Sequence, residues 1–280
     1  MYTTIIDALT LHEHFKDPNW VIVDCRFNLQ DSDAGFEEYK TEHIPSAVYA
    51  DLEKDLSGRI TAQSGKHPLP QEPHFRELIS RLGIDSDKQV IVYDTATGEY
   101  AARLWWLLGL YNHQNVAVLD GGFAQWKAKR YPVASGNETN VPTQFSGTPD
   151  LRKITTSVQI ETYLYSPVYR LVDSRIPERF RGEFEPIYPV AGHIPSAVNH
   201  SYISNLNPDN TFLPAETLRK NLAQIIQNTS PANVIIYCGS GVTACVNMLA
   251  LKISGIEGPR LYAGSWSEWI KDSRREIEKG

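Results

Sequence analysis

The residues best suited to chemistry lie together in Tyr237-Cys238-Gly239-Ser240-Gly241-Val242-Thr243-Ala244. This segment follows a β-branched run at 234–236 and leads into an apolar helical stretch at 242–253. A strand that ends in cysteine, turns on glycines and enters a helix sets its sulfur at the carboxyl edge of a sheet, where open α/β folds bind ligands. Gly239 and Gly241 let the backbone curl, so that the N–H groups of Gly239, Ser240, Gly241, Val242 and Thr243 point inward. Such a nest, backed by a helix N-terminus, stabilises an anion at its centre. Cys238 is accordingly expected to react as a thiolate. The other two cysteines suit other roles. Cys25 is a small filler at a strand end, and Cys245 lies among Val246, Met248, Leu249 and Leu251 on a helix apolar on nearly all faces. A phosphatase built on Cys-x5-Arg would need arginine at position 244, which is alanine. A dinucleotide fold fits Gly239-x-Gly241-x-x-Ala244 but lacks an acidic residue at the end of the next strand, and too little chain follows it.

The elements that must carry this segment occur twice. The hexapeptide His43-Ile44-Pro45-Ser46-Ala47-Val48 recurs unchanged at 193–198. Upstream, Val21-Ile22-Val23-Asp24-Cys25-Arg26 answers to Arg170-Leu171-Val172-Asp173-Ser174-Arg175; downstream, Val90-Ile91-Val92-Tyr93-Asp94 answers to Val234-Ile235-Ile236-Tyr237-Cys238. Leu119-Asp120-Gly121-Gly122 with Trp126 answers to Leu261-Tyr262-Ala263-Gly264 with Trp269. Matched blocks in one order mean two copies of one domain. Short apolar runs alternating with helical stretches predict, in each copy, a compact α/β domain around a mostly parallel sheet covered on both faces. The first domain is expected over 1–135 and the second over 151–280, joined by a linker at 136–150 within a stretch rich in Pro, Gly, Ser, Thr and Asn. What both copies keep reads as scaffold: His43 and His193, and the pairs Asp24/Arg26 and Asp173/Arg175; Trp266 and Trp269, after the Gly turn, suit a core. What one copy has alone reads as function, and at the place of Cys238 the first copy has Asp94.

Composition narrows the class. The chain has 280 residues and a net charge of −6, with 41% hydrophobic and 21% charged residues, which excludes disordered and fibrous classes. A mildly acidic chain without a basic block is a poor partner for nucleic acid or anionic membrane. No apolar run approaches the roughly 18 residues that span a bilayer, and the first residues carry no export signal. Three cysteines make no disulfide framework. A soluble, cytoplasmic protein is expected.

Taken with the duplication, the Cys238 loop, the His-Ile-Pro-Ser-Ala blocks, Leu119-Asp120-Gly121-Gly122 and Ala263-Gly264-Ser265-Trp266-Ser267-Glu268-Trp269 give a chain that resembles the tandem-domain rhodanese family over essentially its whole length. The resemblance implies two rhodanese-type α/β domains, the first non-catalytic with Asp94 at the cysteine position and the second catalytic. It implies a sulfurtransferase that carries sulfur as a Cys238 persulfide, with no metal and no organic cofactor. The uncharged Gly239-Ser240-Gly241 loop is similar to the 3-mercaptopyruvate branch, whereas thiosulfate enzymes carry basic residues after the cysteine. In that branch Arg179 matches an arginine that holds the donor's carboxylate, His67 a histidine that partners Ser240, and Glu53 an acidic residue that orients the histidine. One departure stands out: the branch has a second arginine past Arg179, in the stretch that here reads Glu185-Pro186-Ile187-Tyr188-Pro189, and none occurs between Arg181 and His193. Arg181 is the available substitute, and thiosulfate stays open as the donor. The implied acceptors are cyanide, a small thiol or a reduced thioredoxin-like protein. A non-enzymatic binding module is the alternative of another class, against which Cys238 argues.

Overall fold

The computed structural model describes residues 1–280, and the chain divides into two compact units. One comprises Met1–Gly58, Leu69–Asp150 and Asn207–Phe212; the other comprises Arg59–Pro68, Leu151–Leu206 and Leu213–Gly280.

The first unit runs β1 (Ile5–Ile6), α1 (Ala8–His14), β2 (Trp20–Asp24), α2 (Ala34–Thr41), β3 (Val48–Tyr49), α3 (Glu72–Arg81), β4 (Gln89–Tyr93), α4 (Glu99–Leu110), β5 (Val116–Leu119) and α5 (Gly122–Ala128). Its sheet has the order β1-β5-β4-β2-β3, and every pairing in it is parallel. The central strands β2 and β4 read WVIVD and QVIVY, β-branched and buried along nearly their full length. Strands buried on both faces need helical crossovers to return the chain in parallel. Helix α4 serves as such a cover and is apolar on nearly all faces. Residues 136–150 fall within this unit, held to it by Glu138 N–H on the Tyr39 hydroxyl at 2.9 Å and the Thr143 hydroxyl on the Ile84 carbonyl at 2.6 Å.

The second unit runs α6 (Ser157–Tyr163), β6 (Arg170–Asp173), α7 (Pro177–Phe180), β7 (Val198–Asn199), α8 (Ala215–Ile226), β8 (Val234–Tyr237), α9 (Ala244–Ile253), β9 (Arg260–Leu261) and α10 (Ser265–Trp269). Its sheet, β7-β6-β8-β9, is again parallel throughout. Helix α9 starts at Ala244, two positions later than the sequence pattern suggests, because Gly241 at φ +77° still belongs to the turn.

The residues shared by both copies are structural, as their duplication predicts. Arg26 clasps Asp24 through Nε and Nη2 and gives Nη2 to the Glu42 carbonyl at 2.6 Å; Arg175 does the same with Asp173 and the Gly192 carbonyl. Buried charges persist only when paired in this way. His43 and His193 each place Nδ1 on a backbone carbonyl, of Tyr39 at 2.7 Å and Phe180 at 2.8 Å. Trp266 and Trp269 are fully buried in the core.

Candidate active site

Strand β8 delivers Cys238 to the carboxyl edge of its sheet, where it is 1% exposed. Three hydrogen bonds stitch the end of the strand to the start of α10. Cys238 N–H donates to the Ser265 hydroxyl at 3.1 Å, and the carbonyls of Cys238 and Gly239 accept from Trp266 and Ser267 at 3.0 and 2.9 Å. Gly241 then turns the chain back, and its N–H donates to Cys238 Sγ at 3.1 Å. No other residue fits there: φ is +77°, and a Cβ would lie 2.4 Å from the Ala263 carbonyl oxygen. Ser240, Val242 and Thr243 complete the loop before α9.

Sequence-predicted residues converge on this loop unequally. His67 is buried, and its Nδ1 meets Ser240 Oγ at 2.8 Å. Residues 59–68 belong to the second unit although they lie early in the chain. Gly65 packs against the Gly264 carbonyl, and Lys66 N–H donates to Ser267 Oγ at 2.9 Å, which seats the loop that carries His67. Glu53 lies in the turn after β3, in the first unit, with its N–H on Asp51 Oδ1 at 2.8 Å. Cys245 is buried and points its thiol at the Gly241 carbonyl, at 3.4 Å.

Arg179, which the family resemblance assigns to a donor's carboxylate, already holds a carboxylate of the chain itself. Its Nε and Nη2 hold Glu185 at 2.8–3.1 Å, and Arg175 Nη1 reaches the same carboxylate at 3.2 Å. Glu185 also accepts the N–H groups of Ile187 and Tyr188. A buried carboxylate with this many charge-assisted partners is a fixed part of the wall. Only the Nη1 edge of Arg179 is left unengaged by Glu185. Arg181 is no substitute, since its guanidinium pairs with Glu183.

Two residues escaped sequence reasoning. Ser265 holds φ +54° where a non-glycine residue is strained, and its hydroxyl caps the Cys238 N–H while donating to the Tyr262 carbonyl. Tyr188 lies on the loop: its hydroxyl would be 2.9 Å from a Cβ at Gly239, and its ring lies under the Arg179 guanidinium at 5.5 Å. Burial, with Cys238 nearby, pushes its phenol up to about 12.

The first unit shows what the loop is shaped to hold. Asp94 occupies the matching position, since Phe123 and Ala124 bond the Asp94 and Thr95 carbonyls as Trp266 and Ser267 bond those of Cys238 and Gly239. Its carboxylate accepts N–H groups from Ala96, Gly98, Tyr100 and Ala101 at 2.9–3.3 Å. Burial pushes the Asp94 carboxyl up while these bonds pull it down. The duplicated turn is thus an anion cradle, filled in one copy by a carboxylate.

The rhodanese-like domain matches residues 7–129 and again 159–272. The chain belongs to the rhodanese family. It is a sulfurtransferase of the tandem type. It is 41% identical over 278 residues to a probable 3-mercaptopyruvate sulfurtransferase of Pseudomonas aeruginosa, covering 99% of this chain and 98% of that protein. It is 36% identical over 263 residues to a putative thiosulfate sulfurtransferase of Mycobacterium tuberculosis, covering 92% and 90%. The structure of 3-mercaptopyruvate sulfurtransferase from Leishmania major superposes with a TM-score of 0.84 at 30% identity, covering 95% of this chain and 74% of that one. Within this rhodanese frame no three His, Cys, Asp or Glu side chains form a metal cage, and no helix is long and apolar enough to cross a membrane.

Proposed function

We propose that Cys238 carries sulfane sulfur as a persulfide, taking it from 3-mercaptopyruvate and passing it to cyanide, a small thiol or a reduced thioredoxin-like protein. The thiolate attacks the donor's sulfur as the donor's C–S bond breaks. The electron pair of that bond becomes the enolate of pyruvate, and the proton first held on the donor's sulfur ends on carbon. The observation that carries the choice of donor is the contact of Ser240 with His67 beside a cysteine loop free of cationic side chains. A neutral thiol needs a proton moved, which a hydroxyl–imidazole pair supports. Thiosulfate needs charge, which this loop does not offer. Arg179 contributes a single Nη1 edge to the donor's carboxylate instead of a clamp, and this feature favours thiosulfate as the second reading.

The outer sulfur of a persulfide stands two bonds beyond Cβ, as an aspartate Oδ does. By the pattern around Asp94, the amides that receive it are those of Ser240, Val242, Ala244 and Cys245, with the Gly241 N–H on the inner sulfur. The covalent intermediate is the only carrier these steps require. The free thiols of Cys25, Cys238 and Cys245 suit a reducing compartment, and we place the reaction in the cytoplasm.

The test is sulfur transfer to cyanide from 3-mercaptopyruvate and from thiosulfate, with wild type and Cys238→Ser, alongside intact-mass measurement after donor alone. Wild type should prefer 3-mercaptopyruvate and gain the mass of one sulfur atom, and the variant should do neither. Transfer that survives in Cys238→Ser overturns the assignment; preference for thiosulfate overturns the donor.

A further inference from the structure

The phenol of Tyr188 is held more firmly than a lining residue needs to be. A chain of charged contacts runs Asp173, Arg175, Glu185, Arg179, and the last guanidinium lies over the Tyr188 ring at 5.5 Å. Glu185 Oε1 also accepts the Tyr188 N–H at 3.3 Å, and Pro186 and Pro189 stiffen the segment on either side. The hydroxyl end lies against Gly239, whose missing Cβ makes the room: added there, it would be 2.9 Å from the oxygen and 3.0 Å from Cε2. Gly239 is therefore explained by Tyr188, as Gly241 is by the turn. Next to Gly239 in the chain, Ser240 meets His67 at 2.8 Å, so the phenol, the hydroxyl and the imidazole all border the cysteine loop.

Resting on the reading that Cys238 takes sulfur from a thiol donor, we propose that Tyr188 is a specificity-determining residue whose hydroxyl donates a hydrogen bond to the donor's keto oxygen and so favours donors with a carbonyl next to the sulfur-bearing carbon. As the C–S bond breaks, its electrons flow onto that oxygen as an enolate, and a donor fixed there in advance stabilises charge as it develops. The phenol keeps its proton throughout; the proton of the donor's sulfur ends on the methyl carbon of pyruvate. Its raised titration keeps it a neutral donor across the working range. Thiosulfate gains nothing from this contact in the step itself, because its S–S cleavage releases sulfite, whose charge is shared by oxygens that already bore it.

The experiment is Tyr188→Phe, which keeps the ring, the stacking and the fit against Gly239. With 3-mercaptopyruvate the expected result is a fall in kcat of about 10- to 100-fold at little-changed KM. With thiosulfate kcat should stay within about twofold, as should the rate of Cys238 alkylation, which reads the loop's integrity. An equal loss with both donors, or none with either, overturns the inference, as does a loss seen only in KM. A wild type inert with both donors overturns instead the sulfurtransfer reading beneath it. Tyr188→Trp, which removes the hydroxyl but offers an indole N–H, should lose activity towards both donors if bulk over the cysteine is all that matters at this position, and that pattern paired with an unaffected Tyr188→Phe would also reject the hydrogen bond.

Discussion

Gly241→Ala tests the loop at its tightest point. The added methyl meets two obstacles at once. It forces a residue with a side chain into φ +77°, which costs about 1–2 kcal/mol. It also sets a Cβ 2.4 Å from the Ala263 carbonyl oxygen and 3.0 Å from its carbon and Cα. Those are backbone atoms, so no side chain can swing away; the turn or the stretch leading to Ser265 must move. Overpacking of that kind costs a further ~1–3 kcal/mol, giving a total of about 2–5 kcal/mol. Movement also lengthens the 3.1 Å bond from the Gly241 N–H to Cys238 Sγ and the 3.1 Å bond from the Cys238 N–H to Ser265. Displacements near 1 Å at reacting atoms cost on the order of 10²-fold in rate. The expected outcome is a melting temperature lower by several degrees and a kcat/KM down by about 10²-fold with either donor. Gly239→Ala provides the control, because its Cβ meets only the far end of Tyr188; its melting temperature should fall less. A Gly241→Ala protein with wild-type stability and activity would refute the claim that this turn sets the sulfur's position.

Two other predictions concern protons. Ser240→Ala removes the hydroxyl that meets His67; kcat with 3-mercaptopyruvate should drop on the order of 10²-fold while thiosulfate turnover changes far less, and steady-state kinetics with both donors would show it. Asp120 is held by burial up to about 6, although it accepts the Phe212 N–H at 2.8 Å. Since its folded value lies above the unfolded one, its contribution to stability is complete below about pH 4 and is lost as pH rises to about 6. Asp120→Asn keeps the acceptor and cannot ionise, so it should stabilise the protein by about 1–2 kcal/mol above pH 6 after allowance for partial exposure, with no gain at pH 4. Urea unfolding across that range is the measurement, and a gain of equal size at both ends would exclude ionisation as its source.

The parts of the molecule written in short contiguous patterns were legible without coordinates. The repeated hexapeptide and the β-branched runs announce two parallel sheets, and Tyr237-Cys238-Gly239 announces a strand that ends in cysteine at a tight turn, because strand, turn and helix are neighbours along the chain. The approach of His67 to Ser240 came through only by family resemblance, since no local pattern says that residues 59–68 pack with the second unit. The role of Arg179 came from the family resemblance, and its pairing stayed hidden: six residues on, Glu185 supplies a carboxylate from the chain itself, and a sequence shows opposite charges without showing which have found each other. Tyr188 was passed over as the mere absence of an arginine. Its role depends on the ring's direction, which is set by Glu185, by Arg179 and by the bare face of Gly239. Ser265 was hidden because the first copy has Gly122 in the same left-handed conformation, and only backbone geometry reveals that a serine has been forced into a glycine's place.

The exchange of short segments has a consequence for the history of the chain. Residues 59–68, which bear His67, are synthesised long before the sheet they join, and the first unit in turn receives residues 207–212 only after most of the chain has been made. Each repeat therefore waits for the other during synthesis, although domains ordinarily fold as units in order of emergence. A gene cut between the repeats would yield a cysteine-bearing half without its imidazole and a first half missing a piece of its own wall. Duplication here works as a ratchet: once the two copies had traded segments, neither could be deleted without taking part of the survivor with it.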